Sequence, residues 1–254
     1  MEFPLSQVQA SHFQAVASTG STNSDLVTSA ASLPDFSVLV AGEQVSGRGR
    51  SGRSWEAPAG SSMIASVLLR PTSVSPTQFS WLPLIAGLSL ANAVSSFSAV
   101  RASVKWPNDV LIADLKIAGI LSEALPDLSG VVIGTGLNVF QTQAQLPTET
   151  ASSLALQGIN VPNIDSILAE YLRHLKQNYL DFVACSGELS GTELLLSIKN
   201  ACGTIGRQVR AMLPGDKELI GEAVDIDDLG RIVIAHAGKH TPVSVGDIVH
   251  LRHN

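Results

Sequence analysis

The sequence predicts an α+β protein, with a larger mixed domain of strands and helices followed by a small all-β domain. Three observations carry this. The 254 residues exceed the ~150 expected of a single domain and suit one large unit with a small one behind it. Up to about residue 200, short apolar runs of strand length interleave with two longer segments of helical character. After Gly203, short β-rich runs alternate with turn residues, the pattern of a small barrel. The boundary is therefore expected between 1–202 and 203–254.

In chain order, residues 36–41 (FSVLVA) read as a buried strand, the polar Gly/Arg/Ser stretch 42–60 as a loop, and 62–69 (SMIASVLL) as a second strand. Residues 78–100 carry small and apolar side chains on most faces and suit a buried helix after the turn at 71–76. Residues 104–109 (VKWPND) form a strand that Pro107 stops, because proline donates no ladder hydrogen bond. Residues 110–112 and 117–125 pair as a hairpin through 113–115, and 131–133 and 137–140 flank a Gly134-Thr135-Gly136 step. The polar stretch 141–153 is a loop. Asn163 caps a helix running to about Ala184, in which Ile164, Ile167, Leu168, Tyr171, Leu172, Leu175 and Val183 recur at three- and four-residue intervals. Leu194-Leu195-Leu196 reads as core. In the tail, 208–213, 219–225, 232–235 and 248–251 are strands, with turns at 214–217, 228–230 and 245–247.

Composition excludes several classes. Hydrophobic residues make up 45% of the chain and charged residues only 15%, the reverse of a disordered chain. A net charge of −6 argues against a general nucleic-acid binder, which needs a basic face to displace counterions. The longest apolar stretch, 81–94, is interrupted by Pro83, Gly87, Ser89 and Asn92 and is too short to span a bilayer. No Lys or Arg precedes Arg48, so a basic signal-peptide n-region is missing. Cys185 and Cys202 make neither a disulfide framework nor a zinc cluster, and the six histidines lack metal-ligand spacing. The expectation is a cytoplasmic protein that binds neither nucleic acid nor membrane and has no protein-built metal site.

The basic residues are unevenly placed. Of sixteen, only Arg48, Arg50, Arg53 and Arg70 lie in the first hundred positions, three of them inside Gly47-Arg48-Gly49-Arg50-Ser51-Gly52-Arg53-Ser54. Gly47, Gly49 and Gly52 satisfy the dinucleotide fingerprint, but no acidic residue lies between Glu56 and Asp109, and Pro58 and Gly60 break the helix that must follow. A P-loop reading, with Arg53 for the lysine, fails for want of the same helix. Two readings remain: a solvated surface loop, or a loop that closes over a ligand while its guanidinium groups meet phosphate or carboxylate.

A second constellation, Lys105-Trp106-Pro107-Asn108-Asp109 followed by Lys116-Ile117-Ala118-Gly119-Ile120-Leu121, decides between them. Together with Ser21-Thr22-Asn23, Gln44, the loop 47–55 and Gly134-Thr135-Gly136-Leu137-Asn138, in this order, the chain resembles the biotin protein ligases from about Ser18 to its C-terminus. Only about twenty residues precede Ser21, so the resemblance is to the monofunctional class that lacks an N-terminal DNA-binding domain. It implies a mixed-sheet core related to class II aminoacyl-tRNA synthetases and an SH3-like barrel behind it. It also implies biotin and ATP as substrates, Mg²⁺ accompanying ATP, and a biotin carboxyl carrier domain as partner of a monomer or weak homodimer.

By that resemblance Ser21, Thr22, Asn23 and Gln44 hold biotin. Arg48, Gly49 and Arg50 fold over biotin and its adenylate, and Arg53 and Trp55 lie nearer the nucleotide. Lys116 contacts the biotin carboxylate and the α-phosphate and, with Arg50, carries the catalysis. Asn108 and Asn138 touch the nucleotide side. Asp109 either helps a metal or braces the loop, and Arg252 loosely matches a basic residue near ATP. Two rivals are a lipoate protein ligase on the same scaffold and a non-catalytic biotin-binding module. The KWPND and GRGRxGR motifs favour biotin over lipoate, and the joint presence of Lys116 and Arg50 favours turnover.

Overall fold

The structure is a computed structural model that describes residues 2–213, 217–244 and 247–251. It opens with one helical turn, α1 (Pro4–Gln7), followed by strand β1 (His12–Val16), helix α2 (Thr22–Ser29) and strand β2 (Ser37–Ala41). After the glycine–arginine segment come β3 (Ser62–Leu69) and a helix α3 (Leu82–Ser95). Next are β4 (Ser103–Lys105), β5 (Asp109–Ile112), β6 (Leu115–Ala124) and β7 (Val131–Asn138). Helices α4 (Ile164–Ala184) and α5 (Glu193–Ala201) complete the larger part.

Seven strands make one sheet in the order β1-β2-β3-β7-β6-β5-β4. Only β1 and β2 pair in parallel, so the sheet is mixed, as expected. Side chains alternate across it. Val38, Val40, Val67 and Leu69 enter the large core beneath α3 and α4, while Leu39 and Leu68 turn to the other face against Leu26 and Ala30 around α2. Helix α3 is buried on nearly every side between the sheet and α4. Helix α4 starts where its cap was expected, Asn163 accepting from the Ser166 amide at 2.9 Å.

Several expectations are corrected. The helix over 78–100 is shorter at both ends: 76–81 is a 3-10 turn entered at Pro76. At the other end, Ser95 and Ser96 donate to the carbonyls of Ala91 and Asn92, and Ser98 accepts from the Val100 amide. Such local bonds offer the backbone an alternative to further helix. The Gly134-Thr135-Gly136 step does not interrupt a strand, because β7 runs straight through it. Its glycines instead admit close neighbours, described below. Leu196 is 54% exposed and only Leu194 of its trio is buried, since consecutive helical residues point about 100° apart.

The tail forms β8 (Gln208–Leu213), β9 (Lys217–Ile226), β10 (Ile232–His236), β11 (Lys239–Val243) and β12 (Asp247–His250). These make an antiparallel sheet in the order β11-β10-β9-β8-β12. Among the described residues β11 and β12 do not pair, so the sheet is open rather than a closed barrel. Strand β11 escaped the sequence reading because Lys239, His240 and Pro242 give it the polar, proline-bearing pattern of an edge.

Two tryptophans join the sheets. The indole N–H of Trp106 donates to the Gly230 carbonyl at 2.9 Å and that of Trp81 to Asp228 at 3.2 Å, while Ser80 donates to Leu229 at 2.6 Å. The amide of Trp106 also donates to Thr204 Oγ1 at 3.0 Å. His250 closes this seam, with Thr204 Oγ1 at 3.0 Å and Arg207 Nη1 at 3.4 Å. Burial, then the charges of Lys105 and Arg207, push its pKa from 6.5 down to about 4, partly opposed by Asp114. The unfolded chain therefore binds a proton between those values that the folded chain refuses. This contribution to stability is complete above about pH 6.5 and is lost as pH falls toward 4. The wild-type melting temperature is expected to fall more steeply over that window than that of His250→Gln. Parallel curves would remove His250 from the account of acid stability.

Candidate active site

The site begins at the turn into α2. Ser21 adopts an extended backbone and starts the helix, leaving the first amides exposed to partners. Gln44 takes that role: its Oε1 accepts from the Thr22 amide at 2.8 Å and lies 3.0 Å from Thr22 Oγ1. Thr22 Oγ1 also lies 2.7 Å from Ser66 Oγ on β3, and Ser66 donates to Asn23 Oδ1 at 2.6 Å. The Asn23 amide nitrogen donates to Glu123 Oε2 at 2.7 Å and to the Leu121 carbonyl at 3.2 Å. A Cβ on Gly134 would stand 2.2 Å from Asn23 Oδ1, so glycine there gives the amide its place.

The glycine–arginine segment is a folded hairpin rather than an open loop. The Trp55 amide donates to the Gly47 carbonyl at 2.9 Å, Arg48 bridges Ser54, and the Gly49 amide donates to Arg53 at 2.6 Å. A 3-10 turn at Arg50–Gly52 makes the tip, with Gly52 at φ +75°, where a side chain is disfavoured. A Cβ on Gly47 would come within 2.3 Å of the Trp55 carbonyl, which requires glycine at that crossing. The Trp55 ring lies over β6 and β7: the Cβ position of Gly136 is 2.4 Å from it and that of Gly119 is 3.3 Å. Its indole nitrogen is buried without a hydrogen-bond partner among the described residues.

Lys116 is aimed by an irregularity. The β5–β6 register shifts between Val110 and Leu111, so Leu111 faces Lys116 while Val110 faces Ala118. A bulge of this kind re-aims a side chain. On the far edge, the Lys116 amide donates to Thr150 and its carbonyl accepts from Ser152, both at 2.8 Å. Lys116 Nζ lies 2.7 Å from Asp109 Oδ1, so in this structure Asp109 serves the lysine. Asn108 donates to the Ile120 carbonyl at 2.8 Å and accepts from Arg50 Nη1 at 2.8 Å, which ties the hairpin tip to the strand that carries Lys116.

The predicted site residues within the described part, Asn138 excepted, line one cavity of about 400 Å³. Asn138 is 5% exposed and turned inward: it donates to the Ser152 carbonyl and accepts from Gln141, bracing the loop behind Lys116. Arg252 lies outside the described residues. The cavity carries five basic side chains, Arg48, Arg50, Arg53, Lys105 and Lys116, against one carboxylate, Asp109. In a chain of net charge −6 that concentration suits an anion. No group of three His, Cys, Asp or Glu side chains able to hold a metal occurs among the described residues. No helix among them is long and apolar enough to cross a membrane.

Sequence reasoning missed several contributors. Ser66 and Glu123 order the α2 turn without lining the cavity, and Met212 and Ile248 of the second sheet form part of its wall. Glu123 left a faint signal as the single acidic residue of β6. The others carry none, because only the docking of distant segments brings them to the site.

Comparison with known proteins agrees with this geometry. Residues 14–138 match the biotin/lipoate A/B protein ligase family and residues 204–251 the biotin protein ligase C-terminal domain. A biotin–[acetyl-CoA-carboxylase] ligase of Mycobacterium tuberculosis is 40% identical over 93% of this chain and 88% of its own. The bifunctional ligase/repressor BirA of Escherichia coli is 30% identical over 90% of this chain and 70% of its own. A biotin protein ligase from Aquifex aeolicus, solved in complex with biotin and ATP, superposes with a TM-score of 0.80 at 25% identity, over 96% of this chain and 100% of that one. A chain that carries both of these segments in order, around a cationic cavity built from the motif residues, and that matches a Mycobacterium ligase along nearly the whole of both lengths, belongs to the biotin protein ligase family.

Proposed function

We propose that this chain joins biotin to ATP as biotinyl-5′-adenylate, releasing pyrophosphate, and then passes the biotinyl group to one lysine of a biotin carboxyl carrier domain. The observation that carries the reading is the single cavity where five basic side chains meet the Ser21–Asn23 turn and the apolar floor of Ile64 and Ala65. A carboxylate attacking an α-phosphate brings two anions together, so the site must neutralise charge without offering a nucleophile of its own. Lysine and arginine do this, and the lining includes no Ser–His or Cys–His pair.

In this reading the bicyclic head of biotin lies against Thr22, Gln44 and the floor of β3, and its carboxylate points at Lys116. Lys116 Nζ leaves Asp109 for the carboxylate and α-phosphate oxygens, and Asp109 stays at hand to hold the ammonium in position. Arg50 and Arg53 meet the phosphates from the hairpin, and the half-buried Trp55 ring, which lines the same cavity, offers the nucleotide a flat partner. Mg²⁺ would enter on the ATP phosphates and offset their charge; the described residues form no cage of their own for it. Transfer then needs only orientation and dryness, because the carrier's amine attacks an already reactive mixed anhydride at its acyl carbon and AMP leaves. The division of labour falls near residue 202, with the 203–254 segment supplying one wall of the nucleotide side.

The test is the intact mass of an isolated carrier domain after incubation with enzyme, ATP and biotin. One biotinyl group on the wild-type carrier, and none when its acceptor lysine is arginine, is the expected result. Adenylate formation with an unmodified carrier would contradict the transfer step.

A further inference from the structure

Glu123 sits outside the cavity lining, on β6, and its two carboxylate oxygens go to two different elements. Oε1 accepts from Arg48 Nη2 of the hairpin at 3.0 Å, and Oε2 accepts from the Asn23 amide nitrogen of the α2 turn at 2.7 Å. Arg48 Nη2 also donates to Ser24 Oγ at 2.7 Å. We propose that Glu123 is a positioning residue for the acid-binding half of the site, a strut that holds the hairpin down on the α2 turn and sets the direction of the polar chain facing the ligand. This rests on the reading of that half as the biotin site.

The direction follows from donor and acceptor inventory. A carboxylate accepts only, so Asn23 must turn its NH₂ to Glu123 and its Oδ1 to Ser66. Ser66 spends its one hydrogen on Asn23 Oδ1 at 2.6 Å and can only accept from Thr22 Oγ1 at 2.7 Å. Thr22 Oγ1 therefore gives its single hydrogen to Ser66 and, in the cavity lining, is left as an acceptor, while Gln44 Oε1 beside it is held by the Thr22 backbone amide at 2.8 Å. The Glu123 charge, helped by the Leu121 carbonyl that takes the second Asn23 N–H at 3.2 Å, thus sets the direction of the Asn23–Ser66–Thr22 relay and leaves Thr22 Oγ1 facing the ligand as an acceptor. Arg48 enters as the other half of the strut, and its charge is spent on Glu123 rather than on phosphate.

Glu123→Gln keeps the size of the side chain, and removes the charge and one acceptor, so Arg48 and Asn23 then compete for a single carbonyl oxygen. Two measurements test it. Tryptic cleavage after Arg50 and Arg53, sites that both variants keep, reads the strut directly in the ligand-free enzyme and is expected to run several-fold faster in Glu123→Gln and in Arg48→Met. Biotin-dependent pyrophosphate exchange reads the polar chain. A charge-assisted hydrogen bond is lost, so the KM for biotin is expected to rise about tenfold while kcat and the KM for ATP stay within about twofold. Unchanged proteolysis overturns the proposal, as does faster proteolysis with an unchanged KM for biotin, or a fall in kcat in place of a rise in KM. The proteolysis requires no biotin, so it judges Glu123 even if the wild-type enzyme exchanges with a different acid. The side chain is a quarter exposed, at 26%, and equal melting temperatures identify folded variants. If Glu123→Gln does not fold, Arg48→Met on the exposed hairpin decides alone.

Discussion

Replacing Lys116 with alanine is expected to lower the rate of adenylate formation by about 10²–10³, the usual cost of deleting one preorganised charge where a transition state develops its own. The fold is expected to persist. Lys116 is held in β6 by its backbone, which bonds Thr150 and Ser152 regardless of the side chain. Its ion pair with Asp109 involves groups that are 36% and 22% exposed, so water takes over the carboxylate at small cost. Lys105, the other lysine of the cavity lining among the described residues, precedes the Trp106–Asn108 turn rather than lying on β6. The measurement is single-turnover formation of adenylate with melting temperature as the control. A folded Lys116→Ala enzyme that makes adenylate at the wild-type rate would take the lysine out of the chemistry.

Arg50→Gly is expected to separate making the intermediate from keeping it. Arg50 starts the 3-10 turn at the hairpin tip, and its guanidinium reaches across the cavity to Asn108 at 2.8 Å. Asn108 is itself fixed by both its donor and its backbone to Ile120. The arginine therefore clasps the tip to the strand that carries Lys116. Glycine removes a charge-assisted contact worth about 1.5–3 kcal/mol and frees the backbone at the same point. Each 1.4 kcal/mol is tenfold, so the adenylate is expected to dissociate roughly ten- to a hundredfold faster. Adenylation continues because Lys116 remains, and the released anhydride acylates any available lysine. An unrelated lysine-rich protein mixed with the variant, biotin and ATP is expected to become biotinylated. If the variant makes adenylate yet labels the bystander no more than wild type, Arg50 is not the clasp.

Much of the core was legible because its signals are local. Residues 62–69 are all buried, with Met63, Ala65, Val67 and Leu69 in the large core and Leu68 in the smaller one, and the strand keeps its expected ends; α4 begins at the asparagine whose side chain caps it. The N-terminal elements were not legible. Strand β1 is an edge with mostly exposed side chains, and α1 is held by the Leu5 and Ser6 amides bonding to the carboxylate of Asp165, some 160 positions away. The site shows the same division. Motif residues announced themselves by type and spacing, but not which of them face the ligand and which face each other. Asn23 spends both amide hydrogens inside the protein, and Asn138 spends its amide on a loop. Trp55 seats on Gly119 and Gly136, so of the two glycines read as a step between strands one is floor beneath an indole and the other, Gly134, makes room for Asn23. These are consequences of packing across the sheet, which no window along the chain contains.

In the proposed function the cationic cavity activates biotin through an adenylate. Isotope exchange between pyrophosphate and ATP, with a single carboxylic acid added at a time, tests it most directly, since exchange requires a reversible adenylate and no carrier. Exchange is expected to depend on biotin, to be absent with lipoate, and to be lost in Lys116→Ala. Exchange supported by lipoate but not by biotin would contradict it.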